Sequence, residues 1–271
     1  MTDIGSWISL FQANYNPGYS FAGLVVGILI GLTGVGGGSL MTPILVLIFG
    51  INPTLAVGTD LLFASATKLV GTAVHGFKNT IEWKIVGLLA LGSLPASMLV
   101  IYFVNSSGHS AALSNAIKIL LGYSLFITAA LVLARAHLAK YAKSNFREGQ
   151  LNRQPIYTFL VGLFVGALVA FTSVGAGAIG VTALILLYPV LPTLRIVGSD
   201  IAHAVPLTLV AGMGYLVIGN VDVLMLGALL IGSIPGIMLG SWLAPKVSEK
   251  ILRYLLAGVL AFVGFKLVFS R

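Results

Sequence analysis

Apolar segments separated by short polar turns run along nearly the whole chain of 271 residues. They form two sets of five, and in each set two short segments precede three longer ones. The first set covers 19–32, 39–50, 54–77, 83–104 and 113–134, and the second covers 156–171, 178–190, 193–217, 223–243 and 250–269. The longer segments have about the 20 residues that a helix needs to cross the hydrocarbon core of a membrane. They are apolar on all sides, unlike the alternating strands of a barrel. The pattern therefore predicts an all-α polytopic membrane protein.

The second feature of the pattern is a glycine-rich interruption at the same place in each set, at 32–39 and at 171–178. When residue 33 is aligned with residue 172, polar and turn residues further along also match after one inserted residue. The matches are Gly58-Thr59-Asp60 with Gly198-Ser199-Asp200, Glu82 with Asp222, and Pro95 with Pro235. We interpret the chain as an internal duplication. Its predicted parts are an N-terminal tail (1–19), repeat 1 (20–134), a basic cytoplasmic linker (135–155) and repeat 2 (156–271).

The number of membrane crossings in each repeat decides their relative orientation. If the two short segments form a hairpin, crossing fully or re-entering, each repeat crosses an odd number of times and the second is inverted. If they form one broken span, the repeats are parallel. With the linker inside, the inverted arrangement also places Lys78, Lys84, Arg195, Lys246 and Lys250 inside, as the positive-inside rule favours. We therefore predict inverted repeats in the cytoplasmic (inner) membrane, with the basic linker in the cytoplasm and both termini outside.

Composition and charge support a membrane protein and exclude other classes. Hydrophobic residues make up 58% of the chain, charged residues 8%, and the mean hydropathy is +1.05. The net charge of +8 lies in loops between apolar segments, so it indicates topology and not nucleic-acid binding. There is no cysteine, and no nucleotide, zinc-protease or nucleophile motif. We expect no enzyme activity, no catalytic residue, no cofactor and no metal.

The two interruptions are the candidate anion site. A helix that stops inside the membrane exposes unpaired backbone N–H groups and the positive end of its dipole, and two such ends could converge on one negative group. The alternative is close helix packing through small residues. The predicted substrate-binding residues are Thr33, Gly34, Gly36, Gly37, Gly38, Ser39, Lys68, Thr172, Ser173, Gly175 and Gly177.

Ionisable residues within predicted spans form a second group, because a charge at mid-membrane costs at least about 2.5–3.5 kcal/mol. Asp60, Lys68 and His75 share one helix face, while Asp200 and His203 lie one turn apart in the second repeat. Lys68 is halfway along its span, which favours a role as anion ligand or ion-pair partner. For the other four we expect coupling or ion pairing, against the alternatives of helix capping for the acids and simple packing for the histidines.

The duplicated glycine break, the paired Gly-Thr/Ser-Asp motifs and the stretch from Asp200 to Pro206 resemble the TauE/SafE family of membrane permeases. The resemblance runs from about residue 22 to residue 269. It implies a two-repeat exporter or permease for sulfite or a small organosulfonate. Tyr215 departs from the histidine that would match His75. We therefore expect a secondary transporter with alternating access around the two breaks, and keep a passive anion channel as the alternative. The expected partners are a small anionic substrate, the lipid bilayer and a second copy in a candidate homodimer.

Overall fold

The computed structural model describes residues 15–33, 38–108, 110–144 and 153–269, which contain ten α-helices and no strand. Numbered in chain order, the helices are α1 (Pro17–Thr33), α2 (Gly38–Leu47), α3 (Pro53–Phe77), α4 (Trp83–Ser106), α5 (Ala111–Ser144), α6 (Gln154–Thr172), α7 (Ala178–Leu187), α8 (Thr193–Val217), α9 (Val223–Leu243) and α10 (Glu249–Phe269).

Six of these helices, α4, α5, α6, α8, α9 and α10, are long and apolar enough to cross a membrane. Helix α3 has 25 residues but carries Asp60 and Lys68, which lower its hydropathy. Both side chains are buried by neighbouring helices, which shield them from lipid. Helices α1 and α7 are apolar but shorter. The prediction of an all-α membrane protein is confirmed.

The predicted segment bounds agree closely with the helices, and α8 and α9 match residue for residue. The prediction was wrong at the end of α5, which continues to Ser144 instead of ending at 134. The first part of the expected linker is therefore helical, because its alanines, leucine and lysines are good helix formers. Helices α2 and α7 end three residues early, at Leu47 and Leu187. After α7, Tyr188 precedes a proline and leaves the helical region (φ −125°, ψ 58°).

Two helix pairs with aligned sequences pack through glycine in the same way. Helix α1 lies against α9, and a Cβ on Gly23 would lie 2.1 Å from the Leu229 carbonyl oxygen. Helix α6 lies against α4, and a Cβ on Gly162 would lie 2.4 Å from the Leu89 carbonyl oxygen. Gly23 aligns with Gly162, and Leu89 with Leu229. Further glycine contacts match in the same way. Gly27 contacts Ser233 as its aligned residue Gly166 contacts Ser93. Likewise, Gly232 contacts Ser20 as Gly92 contacts Phe159.

Helices α3 and α8 pack side by side and run in opposite directions. The Asp222 N–H donates to Thr59 Oγ1 (3.0 Å) near the start of α3. The Glu82 N–H donates to Ser199 Oγ (2.8 Å) just beyond the end of α3. In the alignment of the two halves, Asp222 corresponds to Glu82 and Thr59 to Ser199. Each bond is therefore the counterpart of the other, with the donor and acceptor in exchanged halves.

The connections between helices collect at two ends of the bundle. Just before α4, Glu82 forms an ion pair with Arg195. Glu82 also lines a cavity together with residues from the start of α6 and from the α7–α8 connection. We call this the basic end. Helix α4 has 24 residues and is therefore about 36 Å long. At its other end, Asn52 Nδ2 donates to Ser114 Oγ (3.2 Å). The α2–α3 connection therefore lies opposite the α7–α8 connection.

Candidate functional site

The interruption in the second half separates α6, which ends at Thr172, from α7, which begins at Ala178. Ser173 adopts a left-handed conformation (φ 57°). Gly175 and Gly177 have φ values of 116° and 123°, and residues with a Cβ rarely adopt such values. The Gly175 carbonyl accepts from the N–H groups of Ile179 and Gly180. Among the described residues, the N–H groups of 176–178 have no acceptor. The start of α7 therefore presents three consecutive amides without an acceptor in the described part of the chain, which we call the bare amides.

The two hydroxyls predicted beside this interruption have different surroundings. Thr172 Oγ1 donates to the Leu168 carbonyl (2.7 Å) and accepts from the Val174 N–H (3.1 Å), so it serves its own backbone. Ser173 Oγ is buried and has no hydrogen-bond partner among the described residues. Ser173 lies beside Asp60 without reaching hydrogen-bond geometry. Of the two hydroxyls, Ser173 is the one available to a ligand.

The interruption in the first half lies largely outside the described residues. This applies to the predicted ligands Gly34, Gly36 and Gly37. Of Thr33, Gly38 and Ser39 only the helical backbone is described, at the end of α1 and the start of α2.

Lys68 extends from α3 of the first half to the interruption of the second. Its side chain is 7% exposed, and its Nζ donates to the Ala176 carbonyl oxygen (3.3 Å). It interacts electrostatically with both Asp60 and Asp200, although neither carboxylate forms an ion pair with it within 4.0 Å. Lys68 thus places its ammonium group at the interruption of the second half, beside the Ala176 carbonyl and within electrostatic reach of both acids.

The two buried acids differ in their hydrogen bonds. Asp60 Oδ2 accepts from both the N–H (3.0 Å) and the hydroxyl of Thr42 on α2. Asp200 is packed against the first turn of α7, where a Cβ on Gly180 would lie 2.1 Å from Oδ1. Neither oxygen of Asp200 has a hydrogen-bond partner in the described part of the chain. Asp60 Oδ1 also has no partner among the described residues. One oxygen of Asp60 is therefore held by α2, whereas neither oxygen of Asp200 is held by a residue that the structure describes.

The two histidines predicted for coupling occupy separate positions. His203 is 1% exposed, and its Nε2 lies 2.8 Å from Ser93 Oγ on α4. His75 lies near the basic end, with Nδ1 2.8 Å from Thr80 Oγ1. Tyr215, which aligns with His75, is fully buried and donates its hydroxyl hydrogen to the Ala170 carbonyl (2.9 Å). Tyr215 is therefore positioned for packing.

Two cavities reach these groups from the basic end. One, of about 240 Å³, is lined by Lys68, His75 and Ile201 together with residues of α1 and α9. The other, of about 210 Å³, has the half-buried Arg135 and Arg253 in its wall and reaches Ala178 and Thr182. The centre of the bundle is thus accessible from the end where the arginines and lysines lie.

Sequence reasoning missed four residues of this region: Thr42, Gly180, Arg135 and Arg253. A polar threonine followed by Pro43 inside an apolar segment was a weak signal for Thr42. The other three are common residue types, and their positions depend on contacts between helices. No group of three histidine, cysteine, aspartate or glutamate side chains that could hold a metal occurs within the described residues. Positive charge, bare amides and a hydroxyl together suit the binding of a small anion.

Comparison with known proteins gives the same class of protein. The family model described as "Sulfite exporter TauE/SafE" matches residues 19–267. The chain is 40% identical over 249 residues to "Probable membrane transporter protein YjnA" of Bacillus subtilis, covering 91% of this chain and 97% of that protein. It is 31% identical over 261 residues to "Probable membrane transporter protein MJ0441" of Methanocaldococcus jannaschii, covering 89% and 91%. No solved structure matches significantly.

These matches cover nearly all of the described helices, including α3, α7 and α8, which carry Lys68, the bare amides and Asp200. The resemblance noted on the glycine breaks and the paired Asp motifs is confirmed. The chain belongs to the TauE/SafE family and is a membrane transporter protein.

Proposed function

We propose that this protein is a secondary transporter that moves a small sulfur-containing anion, sulfite or an organosulfonate, across the cytoplasmic membrane. The observation that carries the proposal is the reach of Lys68 from the first half to the bare amides of α7 in the second. A negative group beside these amides would gain hydrogen bonds from the backbone, the favourable end of the α7 dipole and the charge of Lys68. The sulfur identity is supported by the printed description of the family.

Backbone amides are suitable ligands for such an anion. They are fixed by the turn at Gly175 and Gly177, and they carry no net charge that must be desolvated when the site is empty. Ser173 adds a hydroxyl on the same segment that has no hydrogen-bond partner among the described residues. We expect the candidate ligands of the first half, around 33–39, to contribute to the same site.

We further propose that the halves are inverted repeats that alternate access around this site. The exchanged hydrogen bonds at Thr59 and Ser199 support this arrangement, because a two-fold axis between antiparallel α3 and α8 would interconvert them. The matched glycine contacts of α1 with α9 and of α6 with α4 support the same axis. The basic end then faces the cytoplasm, since lysines and arginines favour that side.

The inverted arrangement predicts that Thr2 and Lys143 lie on opposite sides of the membrane. Single cysteines introduced at the two positions should react with an impermeant maleimide from opposite sides, because the natural chain contains no cysteine that would interfere. The Lys143→Cys protein should react only after the cytoplasmic side is opened. Labelling of both variants from the same side would contradict the inverted model.

A ligand screen tests the substrate class directly. We expect sulfite or an organosulfonate to raise the melting temperature of the purified protein, because a ligand that binds only the folded state stabilises it by about 2.7 kcal/mol at 100 times its Kd. Sulfite, sulfate, thiosulfate, sulfoacetate and taurine should be compared at equal ionic strength, with chloride as the control. Equal shifts for all anions, including chloride, would indicate a general salt effect and contradict a specific site.

A carrier is favoured over the passive anion channel by the burial of the site. Lys68, Asp60 and Asp200 are each less than a tenth exposed, whereas a channel needs a continuous polar pore. A carrier and a channel also differ in how substrate on the far side of the membrane affects uptake. A carrier exchanges labelled for unlabelled anion, so unlabelled substrate on the far side stimulates uptake, whereas it does not stimulate uptake through a channel.

A further inference from the structure

Asp200 is a buried carboxyl group whose role the proposed anion site leaves unexplained. It is 1% exposed, and both carboxylate oxygens lack a hydrogen-bond partner among the described residues. The α7 backbone at Gly180 stands directly against Oδ1. An ionised carboxylate without hydrogen bonds is strongly disfavoured in such a place unless a cation neutralises it.

The charged groups that face Asp200 are few. Of the helices that pack on α8, α6 and α7 carry no charged residue, and α4 carries only Lys84, in its first turn at the basic end. Helix α3 contributes Asp60, Lys68 and His75, while Arg135 of α5 acts on Asp200 from the cavity wall. His203 lies one turn away on α8. Lys68, the neighbouring buried cation, is also the cation proposed for the anion.

Asp60, the aligned acid of the first half, has hydrogen bonds that Asp200 lacks. Its Oδ2 accepts two hydrogen bonds from Thr42 on α2, which stabilise the charged form. At Asp200 the short helix α7 presents Gly180, which offers no side-chain donor. The two aligned acids are therefore not equivalent, and Asp200 is the one suited to change its protonation state.

We propose that Asp200 is the proton site that couples anion movement to proton movement in this protein. The inference rests on the proposed function, because it gives the coupling ion of that same site. Without substrate, the Asp200 carboxylate is balanced by Lys68. When an anion binds at the start of α7, it pairs with the Lys68 ammonium group in place of Asp200 and repels the Asp200 carboxylate. A carboxylate oxygen then accepts a proton from a hydronium ion, which leaves as water. After the anion leaves, the carboxyl group gives this proton to a water molecule on the other side.

The cavity of about 240 Å³ is lined by His75, Lys68 and Ile201. Asp200 does not line it and is 1% exposed, so the last step of proton transfer to its carboxylate takes place inside the packed bundle. One proton and one monoanion thus move in the same direction, and no net charge is transferred. The direction follows the combined gradients of anion and proton.

Reconstituted protein in liposomes tests the proposal with methanesulfonate, a monoanion at all pH values used, beside sulfite and sulfoacetate. For wild type, an inward proton gradient of one pH unit should raise methanesulfonate accumulation by up to about ten-fold, and a dye inside the vesicles should report acidification. Asp200→Asn should still exchange labelled for unlabelled anion but lose the response to the proton gradient. Asp222→Asn, which keeps the cap on the Met225 N–H, is the matched control and should behave as wild type.

The outcomes separate the two proposals. Protein-dependent flux that ignores the proton gradient, or follows a sodium gradient at constant pH, overturns proton coupling and leaves the proposed function intact. A wild-type response retained in Asp200→Asn moves the proton site elsewhere and overturns the assignment. If Asp200→Asn does not fold, the dye measurement on wild type still decides whether a proton accompanies the anion. Absence of flux for all three anions contradicts the proposed function itself, and proton coupling with it.

Discussion

Lys68→Ala is expected to abolish transport of the sulfur anion while the protein remains folded. Its Nζ, buried at the interruption, donates to the Ala176 carbonyl and interacts electrostatically with Asp60 and Asp200. Loss of one charge-assisted hydrogen bond of about 1.5–3 kcal/mol lowers anion affinity by about 10- to 150-fold. The two acids left without their lysine would add repulsion. Counterflow of labelled sulfite in liposomes, at a concentration near the wild-type half-saturation value, measures the loss.

Lys68→Arg should keep part of the activity, because the charge remains while its shape changes. Lys266→Ala is the matched control, since this lysine is exposed on α10 and lies over the Phe262 ring. Size-exclusion chromatography in detergent separates a transport defect from misfolding, since an unbalanced buried acid can destabilise the bundle. Normal counterflow by a monodisperse Lys68→Ala protein would remove this residue from the site.

Gly177→Val is expected to eliminate anion binding. Gly177 stands immediately before α7 with φ 123° and ψ −64°, a conformation that a β-branched residue cannot adopt without strain. The backbone must rotate, and the amides of 176–178 then move away from their present positions. Thermal shift with sulfite should fall to the value seen with chloride. Gly37→Val, in the first half, is expected to eliminate anion binding as well. Gly37 lies outside the described residues.

Gly87→Val provides the control for this substitution. Gly87 is exposed on α4 and has nothing within 4 Å of an added Cβ, so binding should stay unchanged. Gly177→Ala carries the same backbone restriction with less bulk, which makes it the variant to examine if Gly177→Val does not fold. Sulfite binding by folded Gly177→Ala and Gly177→Val at wild-type affinity would return Gly175 and Gly177 to a role in close helix packing.

The helices could be predicted from sequence because length and turn residues determine them locally. Bounded by Pro192 and by Gly219, α8 was predicted at its exact ends. The end of α5 was misplaced because charged residues beyond 134 suggested a loop, although they are compatible with a helix that extends out of the membrane. Hydrophobicity reports the membrane boundary, and helix propensity reports the helix end. The two coincide only where a turn residue follows.

The candidate site could be predicted by residue type but not by partner. Lys68 and Asp60 stood out as buried charges, yet their partners Ala176 and Thr42 are set by the packing of separate helices. Thr172 appeared equivalent to Ser173, and its hydroxyl is in fact bonded to its own backbone, a local alternative that threonine often takes. The difference between Asp60 and Asp200 depends on which residue of a short helix faces each acid. Such contacts leave no periodic pattern in the chain.

Counterflow in liposomes tests the central claim, that this protein carries a small sulfur anion across the membrane. Vesicles loaded with unlabelled sulfite and diluted into a trace of labelled sulfite should accumulate label above equilibrium, in proportion to the protein reconstituted. Excess sulfate outside, at equal ionic strength, measures selectivity. We expect a transient overshoot that Lys68→Ala abolishes. Label uptake equal to that of protein-free vesicles, for sulfite and for organosulfonates alike, would contradict it.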